Sequence, residues 1–104
     1  MKNDKLKKII VKSIPGGVDF EKIILFGSRA RNDYNEDSDY DLLIVLKDKI
    51  SQRKKIKLST SIRQNLATNL IDADVILKQK SEIDYYKDKA GSVVRNALEE
   101  GVAL

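Results

Sequence analysis

The sequence predicts a small α/β or α+β domain, a mixed β-sheet with helices packed on it. Three observations predict it. Apolar runs at 22–26, 40–46 and 73–77 are too short for helices and are bounded by polar or glycine residues. Stretches with helical spacing of apolar residues lie between and around them. The 104 residues suffice for one domain over 1–104, with a core that buries roughly two-thirds of the surface of the unfolded chain, and are too few for two domains of ordinary size.

The elements follow in order. Asp4 is placed to cap a short helix whose Leu6, Ile9, Ile10 and Ile14 share a face, and Pro15-Gly16-Gly17 ends it. Lys22–Phe26 reads as a buried strand that Gly27-Ser28 turns into one or two helical turns ending near Asn32. The polar run 32–38 is a loop, and Tyr40–Leu46 is a second strand, strongly apolar after its first residues. From Ser51 to Leu70 there is no glycine or proline. Leu58, Ile62, Leu66 and Leu70 recur every four residues there, with Ile56 at the edge of the stripe, so this is the longest helix, its other face basic. Ala73–Leu77 is a third strand. Ser81–Glu100 has helical periodicity weakened at Gly91 and stopped by Gly101, leaving Val102–Leu104 for a last edge strand.

Composition excludes several chemistries. There is no cysteine and no histidine, which removes disulfides, thiolate metal sites, zinc-histidine sites and every Ser/His or Cys/His pair. Catalysis must run on carboxylates, hydroxyls, Lys or Arg. The apolar stretch near the N-terminus is too short for a signal peptide or membrane span, so a cytoplasmic protein is expected. Net charge is +4, yet residues 27–45 carry two basic against five acidic side chains, between strongly basic flanks. An acidic pocket in a basic setting suits cations together with polyphosphate. Direct nucleic-acid binding is disfavoured, since the lysines of 51–70 have no interleaved aromatics.

Asp39 and Asp41 are two apart at the start of a strand, so both carboxylates point to one side, about 6.6 Å apart along the chain. At about 5 Å two carboxylates repel by roughly 3 kcal/mol at an effective dielectric near 20, and by under about 1 kcal/mol in water, so a partly buried cluster favours a divalent cation. Asp74, embedded in the run Ala73–Leu77, is the natural third member if its strand lies beside the second. Asp72 shares its face and remains a rival. Oxygen-only ligands favour Mg²⁺ or Mn²⁺, and without histidine the third carboxylate is the obvious proton acceptor. Gly27-Ser28 offers backbone N–H groups and a hydroxyl for phosphate oxygens, or is simply a turn and helix cap.

Together these pieces form GSRARNDYNEDSDYDLLIV, residues 27–45. The string closely resembles the minimal nucleotidyltransferases of the DNA polymerase beta-like superfamily. Gly27, Ser28, Ala30, Arg31, Ser38, Asp39, Asp41 and Leu42 match at the family's spacing, Asp74 in ADVIL matches its third acid, and ALEEGVAL matches its closing helix and edge strand. Asn32 stands where the family usually has glycine, a mild departure because Asn tolerates a left-handed backbone.

The resemblance implies the nucleotidyltransferase fold and a mechanism: Asp39 and Asp41 hold two Mg²⁺ ions, Asp74 binds the catalytic one and helps activate an acceptor hydroxyl, and Ser28 with Gly27 grips the phosphates of ATP. Arg31 neutralises phosphate charge or pairs with Glu36 or Asp37; Arg29 is a surface residue. Small members resemble MntA-type antitoxins paired with a HEPN ribonuclease toxin, to which the active versions transfer AMP. Tyr85 and Tyr86 belong either to the core, the favoured reading, or to such an interface. The main rival is a nucleotidyltransferase-like protein that neutralises a partner by contact, without turnover. A signalling receiver, suggested by DLLIVLKD, requires an acidic pair where the first strand ends in Gly27-Ser28.

Overall fold

In the computed structural model, which describes residues 1–104, helix α1 (Asn3–Ser13) leads into strand β1 (Phe20–Phe26), and the one-turn helix α2 (Ser28–Arg31) follows directly. Next come β2 (Tyr40–Leu46), the long helix α3 (Gln52–Ala67), β3 (Ala73–Gln79), α4 (Lys80–Tyr86), α5 (Val93–Glu100) and the short β4 (Val102–Ala103). The four strands form one mixed sheet in the order β3-β2-β1-β4. β1 runs antiparallel to β2 and β4, whereas β2 and β3 are parallel, joined by the α3 crossover.

Helices cover both faces, which explains why β1 and β2 read as unbroken apolar runs rather than alternating ones. On one face Leu6 and Ile10 of α1 and Ile62 and Leu66 of α3 pack on Leu42 and Ile44. On the other, Ala97 of α5 packs on Ile24, Phe26, Leu43 and Val45.

Several expectations need correction. Asp4 does not cap α1; Lys2 holds the N-cap position, and Asp4 lies in the first turn, where its charge complements the helix dipole. β1 starts at Phe20, two residues early, because an irregularity between Phe20 and Lys22 lets Phe20 still pair with Leu46. α3 stops at Ala67, so Leu70 leaves the apolar stripe: it has φ +61° and is 95% exposed. The Ile71 N–H reaches back to the Leu66 carbonyl at 3.1 Å, and Ile71 takes the buried place beside Leu66. That closure normally calls for glycine at the left-handed position, and leucine there hides the signal. Ile56 is also outside, 59% exposed. Lys55 turns inward instead and ion-pairs with Glu82 of α4. Burial alone would raise the Glu82 carboxyl, but Lys55, the Gln79 N–H and Lys78 outweigh it, so it sits below its ordinary value.

The stretch 81–100 is two helices, parted at Gly91 with φ +80°. Tyr85 and Tyr86 are not core residues. Their rings meet edge to face at 4.7 Å on the surface, 60% and 36% exposed, beside Lys89 and Lys78 respectively. No helix is long and apolar enough to cross a membrane.

Candidate active site

The candidate residues gather where β1 ends and β2 and β3 begin. Phe26 is the register partner of Asp41 in the antiparallel pair, and Asp41 is the partner of Asp74 in the parallel pair. Residues paired this way project to the same face of adjacent strands, roughly 4.8 Å apart. Asp39 lies two residues earlier on that side. Asp41 is half-buried, while Asp39 and Asp74 are exposed. Burial raises the Asp41 carboxyl above its ordinary value; Asp74 and then Asp39 raise it further, against the opposing pull of Arg31. The rival Asp72 lies one residue before β3 begins, outside the register pair that sets Asp74 beside Asp41. Its backbone carbonyl accepts the Tyr40 N–H at 2.9 Å and so extends the ladder by one step.

Gly27 makes the approach of Asp41 feasible. With φ +73° and ψ −159° it occupies a region essentially restricted to glycine, and a methyl group on it would collide with Asp41 Oδ2. The Gly27 carbonyl accepts the Ala30 and Arg31 N–H groups at 3.1 Å, closing the turn of α2. Asn32 ends that turn with φ 63°, the left-handed conformation that its place in the sequence requires.

Arg31 pairs with neither Glu36 nor Asp37. Its Nε donates to Asp33 Oδ2 at 3.1 Å and its Nη1 to Glu100 Oε2 at 3.0 Å. Those two carboxylates, Asp33 first, raise the guanidinium above its ordinary value. Glu100 also accepts the Gly27 N–H through Oε1 at 3.1 Å. Sequence reasoning missed Glu100 because it lies 73 residues from Gly27.

Arg29 is not a free surface residue. Its guanidinium lies 4.3 and 4.4 Å from the ring centres of Tyr34 and Tyr40. It also donates to the Ser38 carbonyl, through Nη2 at 3.0 Å. This pins the polar loop immediately before Asp39, a stacking role that Arg fills better than Lys.

The arrangement sets a carboxylate pair beside an amide and a guanidinium that already hold an anion. The donor set is all oxygen, which fits Mg²⁺ or Mn²⁺. Asp41 and Asp74 are the acids that strand register sets side by side; no three acidic side chains are grouped closely enough to hold an ion together. Asp39 stands near enough to act on the charge of Asp41.

Comparison with known proteins bears on this site. The family model described as Polymerase beta, Nucleotidyltransferase matches residues 4–104. Two relatives come from Methanocaldococcus jannaschii. Putative protein adenylyltransferase MJ0604 is 42% identical over 84 residues, 81% of this chain and 77% of that protein. Putative protein adenylyltransferase MJ0141 is 37% identical over 60 residues, 57% of this chain, and the match spans only 61% of that protein. A crystal structure of a toxin-antitoxin with AMP-PNP has the same fold, with a TM-score of 0.62 and 23% identity, covering 99% of this chain and 72% of that one.

Proposed function

The chain belongs to the polymerase beta nucleotidyltransferase family, and on that premise we propose that it transfers AMP from ATP to a hydroxyl group of a protein and releases pyrophosphate. The observation that carries this reading is Asp41 lying against the Gly27 turn with Asp74 as its register partner on the next strand. The two relatives named as protein adenylyltransferases support AMP and a protein acceptor. A HEPN-type toxin is the acceptor we propose, which makes this protein a cytoplasmic antitoxin; the fold shared with a chain of a toxin-antitoxin crystal structure is in keeping with that.

In this reading Asp41 and Asp74, with the exposed Asp39 side chain turning in towards them, would hold Mg²⁺, which when bound offsets the charge of the triphosphate and of the acids. Gly27, Ser28 and Arg31 hold the phosphate oxygens and place the α-phosphorus near the carboxylates. The acceptor oxygen attacks that phosphorus, the bond to the bridging oxygen of the β-phosphate breaks, and the hydroxyl proton passes to the carboxylate of Asp74.

The test is incubation with ATP labelled at the α-phosphate, Mg²⁺ and a candidate HEPN toxin. Label on the toxin that is lost with Asp39→Asn and with Asp41→Asn supports transfer. Loss of toxin activity without label identifies neutralisation by contact instead.

A further inference from the structure

Glu100 already occupies the two donors assigned above to phosphate. One oxygen takes the Gly27 N–H at 3.1 Å and the other takes Arg31 Nη1 at 3.0 Å. A carboxylate and a phosphate present alike acceptor oxygens, and the single Gly27 N–H cannot serve both at once. We propose that Glu100 is a resident competitor for the nucleotide, a carboxylate that fills the phosphate seat of the free protein and must swing out before the triphosphate binds. The inference rests on the nucleotide reading above and assigns a regulation to that same site.

The geometry makes this a built contact rather than a drifting surface pair. α5 is capped by Ser92, whose side chain accepts the Arg95 N–H, and is anchored by buried Ala97. Gly101 follows at once, and a Cβ there would run into the Ala97 carbonyl and Ile24. The chain then joins the sheet through Leu25↔Val102 and Ile24↔Ala103. The backbone of Glu100 is thereby fixed and only its side chain is free to rotate. Displacement of that side chain frees the amide and the guanidinium Nη1 together. Arg31 stays tethered, since its Nε remains on Asp33.

The test follows the Gly27 amide by ¹⁵N NMR while ATP with Mg²⁺, or inorganic tripolyphosphate, is titrated into wild type, Glu100→Gln and Glu100→Ala. The glutamine keeps an acceptor for the Gly27 N–H and so guards against loss of the fold. A seat closed in about nine of ten molecules weakens a ligand about tenfold. Glu100→Ala, which empties the seat, is therefore expected to reach half-saturation at about one-tenth of the wild-type concentration for both probes, and Glu100→Gln, which keeps the acceptor but loses the charge, between alanine and wild type. Equal or weaker binding by the variants, with wild type still shifting at Gly27, overturns the competitor role and leaves the nucleotide reading intact. No shift at Gly27 in any of the three proteins overturns the nucleotide reading and this inference with it.

Discussion

Asp41 and Asp74 are register partners across the parallel β2–β3 pair, and the Asp41 carboxyl sits above its ordinary value through burial first and the charge of Asp74 second. Two like charges on adjacent strands work against folding, and such arrangements are concentrated at functional sites.

Asp41→Asn therefore stabilises the metal-free protein at neutral pH. The native state keeps its Asp41 proton to higher pH than the unfolded chain, so stability falls as pH climbs from the unfolded value, near 3.8, through the raised folded value. The gain in the variant is on the order of 1 kcal/mol at pH 7, the repulsion of partly hydrated carboxylates, and disappears in acid. Urea unfolding at both pH values checks it; a variant less stable than wild type at pH 7 contradicts it.

Gly27→Ala costs stability twice over. The backbone conformation alone is worth about 1–3 kcal/mol against a residue with a Cβ. The methyl group also meets Asp41 Oδ2, so the carboxylate must shift. Chemical denaturation should show a loss of at least that size, and divalent-ion stabilisation of the folded protein should shrink in the same variant. An alanine variant as stable as wild type refutes the account of this turn.

Asp74→Asn and Asp72→Asn separate the two rival acids. Asp74 acts on Asp41 while Asp72 contributes its backbone carbonyl to Tyr40, a bond the side-chain change leaves in place. AMP transfer should fall by a factor of about 100 or more with Asp74→Asn, the scale set by loss of a group acting on the transferred proton. It should stay near wild type with Asp72→Asn. The reverse order assigns the third role to Asp72.

Leu70→Gly stabilises the protein although it deletes an apolar side chain. Leu70 is 95% exposed, so it contributes almost no burial, and its φ of +61° strains a residue with a Cβ. A gain of about 1 kcal/mol is expected from relieving the left-handed backbone. Thermal unfolding reads it directly, and a lower melting temperature counts against it.

What was legible in the sequence follows from local physics. β2 falls on its expected bounds of Tyr40–Leu46 because the aliphatic run Leu42–Leu46, entered from a polar loop and left into another, has few other fates. Asn32 at the left-handed cap was readable only through the family resemblance, which has glycine there, since Asn tolerates that backbone. The adjacency of Asp41 and Asp74 was conditional on strand order, which periodicity does not contain. The end of α3 was hidden by leucine at a glycine position, and inward Lys55 looked like one more solvated lysine until Glu82 arrived from another helix. Glu100 was invisible for the same reason: its partners Gly27 and Arg31 meet it only after α5 docks on the sheet.

The central claim is nucleotidyl transfer at the Asp41–Asp74 pair, and following both ends of ATP at once tests it most directly. With a HEPN toxin, Mg²⁺ and ATP labelled separately at the α- and γ-phosphates, the account predicts α-label bound to the toxin. It also predicts an equal amount of γ-label released as pyrophosphate, with both signals lost in Asp41→Asn. Label transferred from the γ-phosphate, or α-label transfer that survives Asp41→Asn, would contradict it.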